Sequence, residues 1–192
     1  MNVSQAESDD GSGSTSDSTM LIRALVTLLN SVTPLLEQMP GPLYSTKGVI
    51  PGSNSIGAHI RHIYDHLDML IAGVPEGVVD YDARRRDPRI EVDPQYAVQR
   101  IVEGVYSLES LWVTTSSTEP LAVRAQTSES SEAVRVRVST TLERECLYLW
   151  QHTIHHFSVI SMLARAAGVP VPEGLGVTPA TLSFMKGSST AP

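Results

Sequence analysis

The chain has 192 residues, 41% of them hydrophobic, which suits a single soluble domain with one sizeable core. Its 14 Lys and Arg against 21 Asp and Glu give a formal charge of -7, which excludes the basic surface expected of a nucleic-acid-binding protein. Cys146 is the only cysteine, so an intramolecular disulfide framework is excluded and a reducing, cytoplasmic location is expected.

The N-terminal segment is polar. Residues 1–18 are rich in Ser, Gly, Asp and Glu and cannot bury enough apolar surface to offset their ordering entropy, which predicts a disordered tail. The segment has no apolar stretch typical of a signal peptide. The longest apolar runs farther along are interrupted by Arg23 and Arg165 and fall short of the ~20 residues of a membrane span, so no membrane partner is expected.

Helical spacing of apolar residues predicts two helices in the first half of the chain. The first covers residues 19–39, with a kink at Pro34, and the second covers residues 56–72 and ends at Gly73. The charged segment 77–94 that follows is predicted to be a long ordered loop on the surface of a helical bundle.

The second half begins with a third predicted helix over residues 95–116. Two segments, 121–126 and 133–139, then alternate apolar and polar residues, which predicts a half-exposed hairpin. Thr140 and Glu143 form a capping box for a fourth helix.

The fourth predicted helix covers residues 141–167 and ends at Gly168. The Gly-rich and Pro-rich remainder is predicted to pack over the bundle as irregular chain, with a disordered tail over residues 184–192. These elements together predict an all-α fold over residues 19–183: a helical bundle with a small β-hairpin insertion before the last helix.

All six histidines fall in two short windows on the second and fourth predicted helices, at positions His59, His62, His66, His152, His155 and His156. At 100° per residue, the first three lie within a ~60° arc of one helix face, and two of the others are one turn apart. Neutral imidazole is a ligand for zinc, nickel, copper and iron, and an i, i+4 pair can bind one ion. The pattern therefore predicts a divalent metal site between the two helices.

The preferred ligands are His62 from the second predicted helix and the pair His152 and His156 from the fourth. His155 points about 100° away from His156, so it is expected beside the ligands or in the core rather than on the metal. Whether His59, His66 or His155 joins the ligand set stays open.

The histidine pattern is also compatible with other kinds of site. The His-x-x-x-His spacing is that of zinc peptidases, but Thr153 stands where such an enzyme needs a glutamate base. A di-iron carboxylate site would need Glu-x-x-His motifs, which the sequence lacks. A further alternative is that the histidines lie in the core, form their hydrogen bonds there and bind no metal.

Several other residues allow two readings each. Asp65 and Glu145 are either partners that orient an imidazole or solvated carboxylates on a helix face. The arginines 84–86 either attract an anionic substrate or belong to a solvated, salt-bridged loop. The large aromatic residues are expected in the core rather than in a pocket wall: Trp112, Tyr148 and Trp150.

Five segments carry a resemblance to a known family: SIGAHIRHIYDH (55–66), DYDARRRD (80–87), ST with RE (139–140 and 144–145), HTIHH (152–156) and GVTPAT (176–181). Over residues 20–182 or so the chain resembles the DinB-like, YfiT-type metalloenzymes. The resemblance implies a four-helix bundle in which His62, His152 and His156 hold a divalent metal, often zinc or nickel. It also implies relatives that include thiol-dependent S-transferases and isomerases.

The function expected from these observations is that of a stand-alone metalloenzyme, a transferase or hydrolase that activates a thiol or water for transfer to a small electrophile. Zinc is the favoured ion, with nickel, iron, manganese and copper left open, and a low-molecular-weight thiol is the favoured partner. A non-catalytic metal-binding or stress-response protein is the alternative, and the sequence leaves a homodimer open.

Overall fold

The computed structural model describes residues 12–115, 119–128 and 134–188. Most of these residues are helical, and a small three-stranded sheet accompanies the helices. The elements follow the order α1 (Ser12–Asn30), α2 (Thr33–Glu37), α3 (Gly41–Ser45), α4 (Ile56–Gly73), β1 (Val78–Asp80), α5 (Pro88–Val92), α6 (Pro94–Thr114), β2 (Leu121–Gln126), β3 (Arg135–Thr140), α7 (Leu142–Ala166) and α8 (Pro179–Ser188).

Side-chain caps fix where three of the long helices begin. The side chains of Ser55, Asp93 and Thr141 accept hydrogen bonds from backbone N–H groups in the first turns of α4, α6 and α7, respectively. The predicted capping box of Thr140 and Glu143 is wrong, because the N-cap of α7 is Thr141 and Thr140 instead donates its hydroxyl to the Glu145 carboxylate. The predicted stop at Gly168 is confirmed, since α7 ends at Ala166 and Gly168 adopts φ +74°.

The core lies between the four long helices. Helix α1 contacts α6 and α7, and helix α4 contacts the same two helices. Each of the four contributes fully buried side chains to one cluster, among them Leu25, Leu29, Ile60, Leu67, Leu70, Leu108, Leu149, Phe157 and Ile160. Burial of a Leu, Ile or Phe side chain stabilises a fold by ~1.5–3 kcal/mol, so this cluster holds α4 and α7 in a fixed relation.

The sheet extends the predicted hairpin by one strand. Strands β2 and β3 pair antiparallel with Leu121 opposite Thr140, which confirms the hairpin, and β1 pairs parallel with β2. The prediction of a surface loop over residues 77–94 is therefore wrong in two places, because β1 and α5 lie within this segment. Their few residues show no periodicity, and β1 forms only because β2 supplies its hydrogen-bond partners.

Both ends of the described chain differ from the sequence-based expectation. Helix α1 begins at Ser12 rather than Thr19, and α8 replaces the irregular chain expected after residue 178, continuing into the tail predicted from residue 184. Residues 1–11 and 189–192 of the two predicted tails lie outside the described residues.

The segment before α8 is attached to α7. Ser161 donates its hydroxyl to the Leu175 carbonyl at 2.9 Å, and Ser158 donates its hydroxyl to the Gly176 carbonyl. Gly176 has φ +78°, and a Cβ there would lie 2.2 Å from the Ser158 nitrogen, so only glycine permits this approach. The C-terminal segment therefore closes over one end of the helix that carries His152 and His156.

One helical stretch, Asp17–Glu37, is long and apolar enough to cross a membrane by length and composition. The expectation that every apolar run is too short does not hold for this stretch. It combines α1 and α2, and its residues Ile22, Leu25 and Leu29 are buried in the core. Core helices of soluble proteins meet the same criterion, and so do signal sequences, so length and composition alone decide nothing.

Candidate metal centre

Helices α4 and α7 bring histidines from both sequence windows together. One potential ligand nitrogen from each of His62, His152 and His156 lies within 4.8 Å of the other two. The ring centroids of the three residues are 4.5–4.9 Å apart. Small side-chain rotations would bring these nitrogens onto one ion with bonds of ~2.0–2.1 Å.

The remaining histidines surround this triad differently. The His66 ring lies 4.3 Å from that of His152, and the His59 ring lies 5.3 Å from that of His156. His155 is exposed, and its ring contacts His156 at 5.1 Å. His155 therefore lies off the ligand face, as expected. Its side chain is exposed to solvent rather than buried in the core.

Burial favours the neutral form of the clustered imidazoles. Desolvation, strengthened by neighbouring histidines, lowers the pKa of His62 to about 4 and the pKa values of His66 and His156 to about 3. Desolvation also lowers the pKa values of His59 and His152, with a further contribution from His155 in each case. Neutral imidazoles keep the lone pair that a metal ion requires.

Two further observations test whether these residues fit a metal ion. The Nε2 atom of His152 is buried and has no hydrogen-bond partner, although a buried polar atom normally has one. The Nδ1 atoms of His59 and His156 are 3.1 Å apart, so one donates a proton to the other. A His156 that binds through Nε2 can donate its Nδ1–H to His59, which is the outer contact that metal-ligating histidines usually make. The residues therefore fit a metal ion.

Arg84 enters the cluster from the segment between β1 and α5. Its Nη1 lies 3.2 Å from Nδ1 of His62 and 3.2 Å from Nε2 of His66. A guanidinium can only donate, so both imidazole nitrogens accept. The sequence predicted that Arg84 either attracts an anionic substrate or belongs to a solvated loop. It did not predict the contact with two histidines.

A second layer of side chains covers His66. The Tyr81 ring stacks on the His66 ring with centroids 4.9 Å apart, and the Tyr148 hydroxyl lies 3.5 Å from Nδ1 of His66. Glu145 is buried and accepts hydrogen bonds from Tyr81 at 2.8 Å and from Thr140 at 2.6 Å. Glu145 therefore positions Tyr81 and does not contact an imidazole, and the reading of a solvated carboxylate is also wrong.

Asp65 also has neither of its two expected roles, which were to orient an imidazole or to lie solvated on a helix face. It is buried, and its carboxylate lies 3.9 Å from Nε of Arg61. Burial raises the pKa of Asp65, and the nearby charges of Arg61 and Arg84 oppose that rise. Arg85 is exposed and pairs with Asp68 at 3.7 Å. Asp65 thus pairs with an arginine of its own helix.

A cavity of about 470 Å³ adjoins the histidine cluster, with His66, Tyr148 and Arg84 in its wall. Strands β2 and β3 and the first turn of α7 form its other sides. The expectation that Tyr148 lies in the core is therefore wrong. Tyr81 and Arg144 also line the cavity and were missed, because neither the sheet nor the position of the hairpin beside α7 is visible in a local pattern.

No protein-family model matches the chain. A search of curated proteins found similarity to FK506-binding protein 5 from Rhizopus delemar, which is 30% identical over 109 residues. The match covers 57% of this chain and 28% of that protein. The chain thus spans little more than a quarter of the relative's length, and this similarity does not show a family.

Proposed function

We propose that the chain is a DinB-like metalloprotein that binds one divalent ion through His62, His152 and His156. The convergence of three imidazole nitrogens within 4.8 Å, from helices separated in sequence, is the observation that carries this proposal. In this proposal α1, α4, α6 and α7 are the four helices of the bundle, and the contacts of α4 with α7 create the site. The resemblance of the sequence to the DinB-like family points to the same three residues.

The donor set favours zinc. All three candidate ligands offer nitrogen, and the nearby carboxylates of Asp65 and Glu145 are engaged with other partners. Magnesium and calcium prefer oxygen ligands, so they suit the site poorly, whereas nickel, iron, manganese and copper remain alternatives to zinc. With three protein ligands, a tetrahedral ion keeps one position for water or substrate.

Such an ion supplies Lewis acidity, which lowers the pKa of a bound thiol or water towards neutrality. The chain itself supplies the surroundings: His66 and Tyr148, whose rings both contact that of His152, line a cavity with the volume of a small-molecule site. We therefore propose a transferase or hydrolase that delivers a thiol or water to a small electrophile. A cytoplasmic location and the absence of nucleic-acid and membrane partners belong to the same proposal.

A non-catalytic metal-binding or stress-response role is the second candidate. One observation favours it: Glu145, the buried carboxylate nearest to His66 in the cavity wall, already accepts two hydroxyl hydrogen bonds. A hydrolase normally needs a group that is free to accept a proton from the attacking water. Thiol transfer makes a smaller demand, because a thiol ionises at a lower pH than water.

Metal reconstitution tests the proposal. We expect zinc-loaded protein, after removal of excess ion, to contain one zinc per chain, and a His152→Ala, His156→Ala double variant to contain almost none. The matched control is His155→Ala, which should still contain one zinc because His155 is exposed. Wild-type protein without a stoichiometric ion after loading with each of the five candidate metals would contradict the proposal.

Thiol-transfer assays separate the two roles. Zinc-loaded wild-type protein would be incubated with low-molecular-weight thiols and an electrophilic acceptor, beside the double variant. Turnover that depends on the histidine pair would support the enzyme, and metal binding without turnover over a panel of thiols and acceptors would support the non-catalytic role.

A further inference from the structure

The cavity beside the histidine cluster has both apolar and cationic groups in its wall. Val123 and Ala125 of β2 and Val138 of β3 supply the apolar groups. Val123 pairs directly with Val138, so their side chains lie on the same face of the sheet. Arg84 and Arg144 also line the cavity, which makes it suited to a molecule with an apolar body and a polar head.

The charges around the cavity are not equivalent. Arg124 contributes to the wall, but its guanidinium pairs with Asp80 at 4.0 Å. Among the residues that the structure describes, neither Arg84 nor Arg144 forms an ion pair with a carboxylate. The two acidic residues of the wall are already hydrogen-bonded: Asp82 accepts from the Gln126 backbone at 2.7 Å, and Glu145 accepts from two hydroxyls. Both acidic residues thus have partners other than Arg84 and Arg144, and these two cations have no carboxylate partner in the described part of the chain.

Both arginines lie beside Tyr148, which is another residue of the cavity wall. Arg144 precedes Tyr148 by one turn of α7, so the two side chains share a helix face. Nη1 of Arg84 lies 3.2 Å from Nε2 of His66, and the Tyr148 hydroxyl lies 3.5 Å from Nδ1 of the same ring. An anionic head placed near Tyr148 would thus lie close to both guanidinium groups.

Arg84 cannot keep its present contact when His62 binds a metal. If His62 binds through Nδ1, the ion takes the lone pair that Arg84 now uses. If His62 binds through Nε2, its proton moves to Nδ1 and faces another donor. The like charges of the ion and the guanidinium add repulsion in either case. The contact of Arg84 with His66 is unaffected, and both residues line the cavity, so Arg84 would stay at the cavity wall when it leaves His62.

We propose that this cavity binds a small organic carboxylate, whose head is held by Arg84 and Arg144 and whose apolar body packs against Val123, Ala125 and Val138. Metal binding at the triad then strengthens carboxylate binding by releasing Arg84 from His62. Only this coupling rests on the proposed metal function, because the cavity and Arg144 are present without an ion.

Calorimetric titration with hexanoate and its neutral analogue hexanamide tests the proposal. Each probe is titrated into zinc-loaded and chelator-treated full-length protein. We expect hexanoate to bind the zinc-loaded protein at least about tenfold more tightly than hexanamide, because charge-assisted hydrogen bonds are the stronger ones. Hexanoate should bind the chelator-treated protein more weakly, since Arg84 is then engaged by His62 and His66.

Three variants locate the binding. Arg144→Gln should weaken hexanoate binding about three- to tenfold, as expected for an exposed cation. The matched control Arg137→Gln removes the same charge from β3, outside the cavity wall, and should leave hexanoate binding unchanged. Arg84→Gln should weaken hexanoate binding to the zinc-loaded protein and tighten zinc binding, because it removes the competitor for His62.

Equal binding of hexanoate and hexanamide, or equal effects of the Arg144 and Arg137 variants, would overturn the proposal. Weaker zinc binding by Arg84→Gln would overturn the coupling. If the chain binds no divalent ion, the metal function fails on its own, and the titrations of chelator-treated protein with Arg144→Gln and Arg137→Gln still decide whether the cavity binds a carboxylate.

Discussion

Three single substitutions on the histidine cluster should lower zinc affinity by clearly different amounts. His156→Ala removes one of three ligands, His59→Ala removes a partner 3.1 Å from His156, and His155→Ala removes an exposed ring. Loss of an outer partner of a metal-ligating histidine typically costs about 10–100-fold in affinity. We therefore expect about 10–100-fold for His59→Ala, more than about 100-fold for His156→Ala, and less than about threefold for His155→Ala.

The free energies follow from the same values, since each tenfold loss corresponds to about 1.4 kcal/mol. The His59 variant should thus lose about 1.4–2.8 kcal/mol of zinc-binding free energy, and the His156 variant more than about 2.8 kcal/mol. Competition with a chromogenic zinc chelator measures each dissociation constant. Circular dichroism of the metal-free variants, compared with metal-free wild-type protein, serves as the control for folding.

Two results would refute this reasoning. Equal losses for His155→Ala and His156→Ala would mean that the metal does not lie on the face that His152 and His156 share. A loss for His59→Ala as large as that for His156→Ala would mean that His59 is itself a ligand rather than the residue that accepts a proton from His156.

Zinc at about 100 times its dissociation constant should stabilise the fold by about 2.7 kcal/mol, so a chelator should lower Tm by several degrees at pH 7.5, and coincident melting curves in protein shown to lose its ion would contradict the site. Burial raises the pKa of Cys146 to about 12, so its thiol should not react with Ellman's reagent at pH 8 until denaturant is added; rapid reaction of folded protein would show that the thiol is accessible. Gly57→Ala should cost about 2–3 kcal/mol and lower Tm by about 4–12 °C, because the new Cβ would lie 2.0 Å from the Glu91 carbonyl oxygen and 2.8 Å from the Tyr44 ring. The control Gly41→Ala has nothing within 4 Å of its new Cβ and should melt close to wild type, and equal stability of the two variants would mean that α4 and α5 are not in contact at Gly57.

The long helices follow from local patterns. Helical periodicity and capping residues placed α4 and α7 within about one residue at each end, because both signals act within a few turns of one segment. The break at Pro34 was also expected, and α1 and α2 meet there through a short turn. The elements missed are α3, α5 and β1, whose few residues carry no repeat of their own, and α8, which lies where irregular chain was expected.

The candidate site also has a part that local sequence patterns predict and a part that they do not. The helical repeat places His62 on one face of α4 and His152 with His156 on one face of α7, and these are local facts that the sequence determines. It also determines that Cys146 stands alone and that the two histidine windows lie on different helices. Occupation by a metal stays a prediction.

The tertiary structure alone decided what surrounds those three residues. Arg84 reaches His62 and His66 from the segment between β1 and α5, and Glu145 faces Tyr81 because β1 pairs with β2 beside α7. Each of these contacts joins residues distant in sequence and depends on how whole elements pack. A pattern within one segment cannot predict this packing, because the packing is selected by the free energy of contacts between segments.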